Sequence, residues 1–388
     1  MGTLHKGWTE VALGDLITVA PTVRAGNSQL PLLSMTMRNG LVDQHDKFKK
    51  RVASADTSDY RVAARGQLVV GFPIDEAVLS FQRIHDAGIV SPAYTIWDLV
   101  DEAIVHRLYL ERFLRSPTAI RYYVSKLRGT TARRRSLPRP QFEAMPIPLP
   151  PIEEQRRIAA VLDQADELRA KRRATLALVD TLTESIFLDM FGDPVSNPRQ
   201  WPTVTLQQLG SLERGVSRHR PRNDPALLGG THPLIQTGDV ARSGGYITEY
   251  ASTYSDLGLA QSKLWPAGTL CITIAANIAL TGILTFDACF PDSVVGFSSD
   301  PATTEYVRAL LRFHQKRLEA AAPESAQKNI NLAVLRDLEV PGAPTEFLID
   351  FHAAQRVARD QARHVAAHLD QLDNLFASLQ QRAFQGDL

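Results

Sequence analysis

MPIPLPPIEEQRRIAAVLDQADELRAKRRATLALVDTLTESIFLDMF, residues 145–191, decides how the rest of this 388-residue chain is read. It opens on four prolines, at positions 146, 148, 150 and 151, and then runs from Ile152 to Phe191 with neither proline nor glycine. Proline fixes φ and removes a backbone donor, so the first part is held extended. The second is free to be helical, with acidic residues in its first turn at the positive end of the helix dipole. Ile158, Val161, Ala165, Leu168, Val179, Leu182 and Ile186 fall on a and d positions of a heptad. That predicts one apolar seam along a helix of about 60 Å.

Working outward, the same arrangement returns 193 residues later. Trp8, Val11, Leu13 and Leu16 recur as Trp201, Val204, Leu206 and Leu209; Pro148 and Pro151 recur as Pro341 and Pro344; Leu182, Ser185, Ile186 and Phe191 recur as Leu375, Ser378, Leu379 and Phe384. Between these anchors the spacing drifts: Leu33, Gly66 and Leu68 match Ile235, Gly268 and Leu270 at an offset of 202, and Tyr109 and Leu110 match Tyr306 and Val307 at 197. A period this long exceeds any solenoid repeat and marks duplication of a whole domain with its connector. The second connector, VPGAPTEF (residues 340–347), leads into a helix whose a positions are Phe351, Ala358, Val365, Leu372 and Leu379.

The predicted fold is therefore α+β: two duplicated α/β heads, residues 1–150 and 192–343, joined and spaced by two long helices, residues 151–191 and 344–388. The helices are expected to pair antiparallel as a coiled coil with approximate two-fold symmetry. Arg172, Thr175, Gln361 and His368 intrude on the seam, so uniform zipper packing is not expected along its middle.

Composition is that of an ordinary soluble globular protein, 44% hydrophobic and 22% charged. The first residues carry no apolar core of signal-peptide type, and Cys271 and Cys289 lie in apolar surroundings without CxxC spacing, which points to a reducing cytoplasm. The longest apolar run, Leu270 to Phe286, is interrupted by Asn277, Thr281 and Gly282 and is too short to span a membrane; it reads as two buried strands around a turn. Net charge is only +1, but unevenly spread: residues 1–150 hold 20 Lys+Arg against 14 Asp+Glu, residues 192–340 hold 13 against 14. Any phosphate contact in the second head must come from local clusters.

Motifs for chemistry are missing. The single PP, Pro150-Pro151, is not the N/D-P-P-Y/F loop of an amino-methyltransferase, and there is no GK pair for a phosphate loop, no GxSxG and no HExxH. Pro291-Asp292 is not followed by the D/E-x-K that a metal-dependent nuclease of the PD type requires. His364 and His368 share a helical face at i, i+4, but a third zinc ligand is not evident, so no metal site is predicted.

IPLPPIEEQRRIAAVLDQAD (Ile147 to Asp166) and SIFLDMFGDP (Ser185 to Pro194) resemble conserved stretches of the specificity (S) subunit of type I restriction-modification systems. HPLIQTGDV (His232 to Val240) and LPLLSMTMRNGL (Leu30 to Leu41) resemble segments near the start of that family's target-recognition domains. The order of parts agrees over the whole chain. One departure is VPGAPTEFLIDF, which lacks the EEQ that follows PLPP in the first copy. The resemblance implies that each head reads one half of a split, asymmetric site in double-stranded DNA while the helices fix a nonspecific spacer. It further implies docking of two methyltransferase (M) subunits, which carry S-adenosylmethionine and methylate adenine, and of restriction/translocase (R) subunits. The chain itself would bind no cofactor and perform no chemistry. Two rivals are a self-contained DNA methyltransferase or nuclease, and a coiled-coil scaffold indifferent to DNA.

Three basic loops are the candidate DNA contacts: Lys47, Lys49, Lys50 and Arg51; Arg128, Arg133, Arg134 and Arg135; and Arg218, Arg220 and Arg222. Arginine suits both phosphate anchoring and bidentate guanine contacts. Gln236, Thr237 and Asp239 are open to two readings, as base-reading residues or as the cap of a turn before Gly244-Gly245. Ile158, Ala165, Leu168, Val179, Leu182, Ile186, Phe351, Ala358, Val365, Leu372, Leu375 and Leu379 are the expected helix-pairing residues. Stretches near Val105–Leu127 and Glu305–Leu318 are expected to be packing helices within the heads.

Overall fold

The computed structural model describes residues 5, 7–37, 39–47, 56–127, 137–275, 277–320 and 329–388. Contacts divide the chain into two compact units, Met1–Arg173 with Ala367–Leu388, and Ala174–Ala366. Each long helix is thus shared between the units: the first spans Ile152–Phe191 and the second Thr345–Gln385. Among the described residues no helix is long and apolar enough to cross a membrane.

In unit 1 the head is closed at its base by a ribbon. Thr9–Ala12 pairs antiparallel with Pro146–Leu149, placing Val11 opposite Ile147. The predicted proline hinge is therefore a β-strand, tolerated because a two-stranded ribbon leaves half of its N–H groups facing outward. The Leu13 N–H donates to the Met145 carbonyl (2.8 Å) and the Tyr109 hydroxyl to the Pro148 carbonyl (2.5 Å). Above the ribbon lies a four-stranded antiparallel sheet, in the order Ile17–Val19, Thr95–Leu99, Leu68–Val70, Leu79–Phe81, with hairpins Leu33–Thr36/Gly40–Asp43 and Arg61–Ala64/Ala87–Val90. The packing segment near Val105–Leu127 is two helices, Arg107–Leu114 and Pro117–Lys126. Pro117 cannot continue the first helix, and the Ser116 hydroxyl accepts from the Ala119 N–H to cap the second.

Unit 2 repeats the base. Thr203–Thr205 pairs antiparallel with Glu339–Pro341, Val204 lies opposite Val340, the Leu206 N–H donates to the Leu338 carbonyl (3.0 Å), and the Tyr306 hydroxyl donates to the Pro341 carbonyl (2.6 Å). Its head holds a five-stranded sheet, ordered Ser211–Arg214, Val294–Ser298, Leu270–Thr273, Thr281–Leu284, Tyr246–Ile247, and a four-stranded sheet around Leu228–Leu234. Leu270–Thr273 and Thr281–Leu284 are the two strands expected of the apolar run, buried at nearly every position. The helix Pro301–Ala320 packs across them, with Tyr306, Val307, Leu310 and Leu311 fully buried.

Within each unit the two long helices run antiparallel. In unit 1 Arg157 donates to the Leu388 carbonyl (2.7 Å), and Arg169 and Arg173 (2.9 Å) both reach Asp373. Arg169 also lies 4.2 Å from the Phe376 ring centroid. In unit 2 Phe187 and Phe191 stand 5.6 and 5.3 Å from Phe351, and Gln355 donates to the Thr183 carbonyl (3.4 Å). Rising numbers on one helix meet falling numbers on the other.

The buried positions differ from a strict heptad seam. Ile158, Ala165, Phe351, Ala358 and Val365 are buried, Ile186 and Leu379 pack on the core clusters while partly exposed, and Val179 and Leu372 are half-buried. Leu168, Leu182 and Leu375, however, are 46, 49 and 50% exposed. Burial passes instead to Phe187 and, on the second helix, to Gln380 and Ala383. Ile158 to Phe187 and Phe351 to Gln380 are both 29 residues, close to eight turns at 3.6 residues each. An unsupercoiled helix drifts by ~20° per heptad, so after four heptads the core-facing position has moved by nearly one residue.

The two heads are fastened to the helices by different means. In unit 1 the fully buried Gln155 accepts from the His106 N–H (2.8 Å) and donates to the Ile104 (2.9 Å) and Pro150 (2.8 Å) carbonyls. Arg112 bridges Asp163 (2.6 Å) and Asp166 (2.7 Å) on the first long helix. In unit 2 the position matching Gln155 is Leu348, buried in an aliphatic and aromatic cluster with Phe187, Phe191, Tyr306 and Phe351.

Two outcomes are expected. Gln155→Leu, although it installs the residue found at the matching position of unit 2, strands one donor and two acceptors in a dry site. It should lower unfolding free energy by about 2–4 kcal/mol in urea titration. The Asp373 carboxyl is desolvated, which alone raises its pKa, but the Arg169 and Arg173 guanidiniums outweigh this and hold it below 3.8. A depressed folded pKa gives stability that is present above the unfolded value and lost as pH falls through the folded one. Wild type should therefore exceed Asp373→Asn by at most about 1 kcal/mol near neutral pH, the carboxylate being 41% exposed, and the gap should close as pH drops below 3.8.

Candidate nucleic-acid interface

The arginine-rich loop of unit 2 leaves the strand Ser211–Arg214 and passes tightly against the turn before Val294–Ser298. The Gly215 N–H donates to the Val294 carbonyl (2.8 Å) and the Val216 N–H to the Phe290 carbonyl (3.1 Å). A Cβ on Gly215 would lie 2.3 Å from the Pro291 carbonyl oxygen, so only glycine permits this approach. Further along, the Gln261 side-chain oxygen accepts from the Arg218 (2.7 Å) and His219 (3.0 Å) N–H groups. The loop closes with His219 against Asp224 (3.1 Å), whose carboxyl is held below its usual range first by the Ala226 N–H and then by His219.

The guanidiniums of this loop are not equivalent. Arg220 donates to the Ser217 (2.6 Å) and His219 (2.8 Å) carbonyls and reaches Asp292 (3.4 Å), so it is largely spent on holding its own loop. Arg222 pairs with the other Asp292 oxygen, and Arg214 donates to the Asp292 backbone carbonyl (2.6 Å). Arg218 is exposed and its guanidinium has no partner among the described residues. Of the cations in this loop Arg218 is therefore the most available to a ligand, with Arg222 next to it.

Beside Arg222 opens a cavity of about 200 Å³, with Asn223, Gln236, Thr237 and Ser293 among its lining residues. Amides and hydroxyls in this position offer both donors and acceptors to a base edge. The two readings of Gln236, Thr237 and Asp239 divide here. Asp239 is buried, accepts from the Gln236 N–H (2.9 Å) and pairs with Arg242, so it caps the short helix Thr237–Arg242, whereas Gln236 and Thr237 line the cavity. Gln261 and Asp292 escaped sequence reasoning because they lie 43 and 70 residues from their partners Arg218 and Arg222. The one local signal at Asp292 is the proline before it, which by itself points to no arginine partner.

In unit 1 Lys47 ends the helical turn Gln44–Lys47; Lys49, Lys50, Arg51, Arg128, Arg133, Arg134 and Arg135 lie outside the described residues. Among the described residues no group of three or more His, Cys, Asp or Glu side chains is placed to hold a metal ion. His364 and His368 are exposed on the second long helix. Cys271 and Cys289 are free and buried, and burial pushes both thiols up, away from thiolate chemistry.

Arg218→Ala is expected to weaken duplex binding by the full chain and to make the slope of log affinity against log salt shallower by about one, without changing the melting temperature. Arg220→Ala should instead lower the melting temperature, because it releases the two loop carbonyls.

No family model matches the chain. Solved structures do. A chain from work on the complex assembly and conformational transition of the type I R-M system is 18% identical, with a TM-score of 0.59 over all of both chains. The type I restriction-modification system S subunit of M. genitalium is 12% identical, with a TM-score of 0.57 over 97% of this chain and 96% of that one. With its paired heads and shared antiparallel helices, the chain has, over nearly its whole length, the fold of a type I restriction-modification S subunit.

Proposed function

We propose that this chain is the DNA sequence-specificity subunit of a type I restriction-modification complex, each head reading one half of a bipartite, asymmetric site. The observation that carries the reading is the repeated base of the two units. Each head is closed on itself by a ribbon and seated where the start of one long helix meets the end of the other. A head held this way turns helix length into distance along a duplex. The S-subunit fold supports the same role.

Chemistry in this reading belongs to the partners: two M subunits carrying S-adenosylmethionine, and R subunits that join them. The chain contributes recognition and a docking surface. Leu178 (67% exposed), Leu182, Ile349 (56%) and Val357 (61%) offer partner helices an apolar contact that their own helices leave uncovered.

The test is selection from a random duplex pool by the full chain with and without one heptad in each long helix, residues 174–180 and 360–366. Removing about 10 Å of each helix is expected to shorten the tolerated spacer by about three base pairs and to leave both half-sites unchanged. Retention of the original spacer would refute the ruler, and failure to enrich any sequence would refute the recognition role.

A further inference from the structure

Asp292 faces the loop cations in an arrangement that simple DNA binding does not require. Its two carboxylate oxygens take Arg220 and Arg222 separately, its backbone carbonyl takes Arg214, and its side chain remains 31% exposed on the same face as those guanidiniums. A protein built only to hold phosphates gains nothing from a carboxylate among its arginines, since the acid subtracts one of the charges that bind the backbone and repels the phosphate itself. The acid sits on the turn against which Gly215 and Val216 are locked, so it is placed as firmly as the strand Val294–Ser298 that follows it. Partly exposed Arg–carboxylate pairs are weak enough to be exchanged for another acceptor.

We propose that Asp292 is a specificity-determining residue that guards the arginine loop against indiscriminate phosphate binding. This rests on the DNA reading above and adds to it. At an arbitrary sequence the duplex offers Arg222 only phosphate, in exchange for a carboxylate it already has. At the cognate half-site a base edge offers Arg222 a bidentate partner, and the neighbouring Asn223, Gln236 and Thr237 add contacts that phosphate alone cannot supply. The guard therefore lowers affinity for random DNA more than for the recognised sequence.

The experiment measures binding of the full chain to a random-sequence duplex and to the duplex it selects from a pool, each between 50 and 200 mM salt. Asp292→Asn keeps the shape and removes the charge. It is expected to tighten random-duplex binding several-fold at low salt, to steepen the salt slope by about one, and so to narrow the ratio between selected and random duplexes. Asp292→Asn with Arg222→Gln restores the local net charge and should return the random-duplex slope to the wild-type value; a purely structural role for Asp292 would not be rescued in this way. If wild type binds duplexes but Asp292→Asn leaves slope and ratio unaltered, or weakens binding to both duplexes equally, the guard is wrong and the DNA reading stands. If wild type binds no duplex at 50 mM salt, the DNA reading falls and takes the guard with it.

Discussion

Both units depend on one contact, between the tyrosine of each head and the phenylalanine that ends the opposite turn of the helix pair. Tyr109 meets Phe384 with centroids 5.7 Å apart, and Tyr306 meets Phe191 at 4.8 Å. Each tyrosine also bonds the carbonyl of a proline in its hinge strand. One side chain thus ties the head, the beginning of one long helix and the end of the other. Buried aromatic pairs add about 0.5–1.5 kcal/mol beyond the area they cover. The larger effect is geometric: the head cannot rotate on its hinge without breaking a hydrogen bond and opening the helix pair.

Around that shared knot the two units are built from different chemistry. Unit 1 relies on directional bonds, through Gln155 and the bridge from Arg112 to Asp163 and Asp166. Unit 2 relies on close packing, with Phe187 stacked at 5.7 Å on Tyr306 and at 5.0 Å on Phe313. The polar joint is the more exacting, because a buried amide that misses its partners costs more than a correct set gains. The apolar joint tolerates adjustment.

Much of this was legible in the residues. The constant offset of 193 located both hinges and both helix ends, because Trp8, Pro148, Phe191 and their copies are structural anchors whose spacing cannot change without disturbing the base. The heads drifted in spacing, and their sheet order was not legible, since pairings such as Ser211–Arg214 with Val294–Ser298 join segments some 80 residues apart through loops of free length. The helix seam was legible at Ile158, Ala165, Phe351, Ala358 and Val365 but not at Leu168, Leu182 and Leu375, which face outward. A heptad template assumes supercoiling, whereas burial at Phe187 and Gln380 falls 29 residues after Ile158 and Phe351, one position beyond four heptads. The arginine loop was visible as a cluster, but three arginines looked alike until Asp292, Ser217 and Gln261 distinguished them.

Gln155 carries a consequence for the ancestry of the molecule. Its partners, the Ile104 carbonyl and the His106 amide, belong to the first head, and the matching socket in the second is filled by Leu348. A transplant of the second head onto the first helix would leave that amide without its companions, and the reverse transplant would bring polar backbone to a greasy seat. The twins have ceased to be exchangeable. Left and right on this scaffold are chemically labelled, one seat polar and the other greasy.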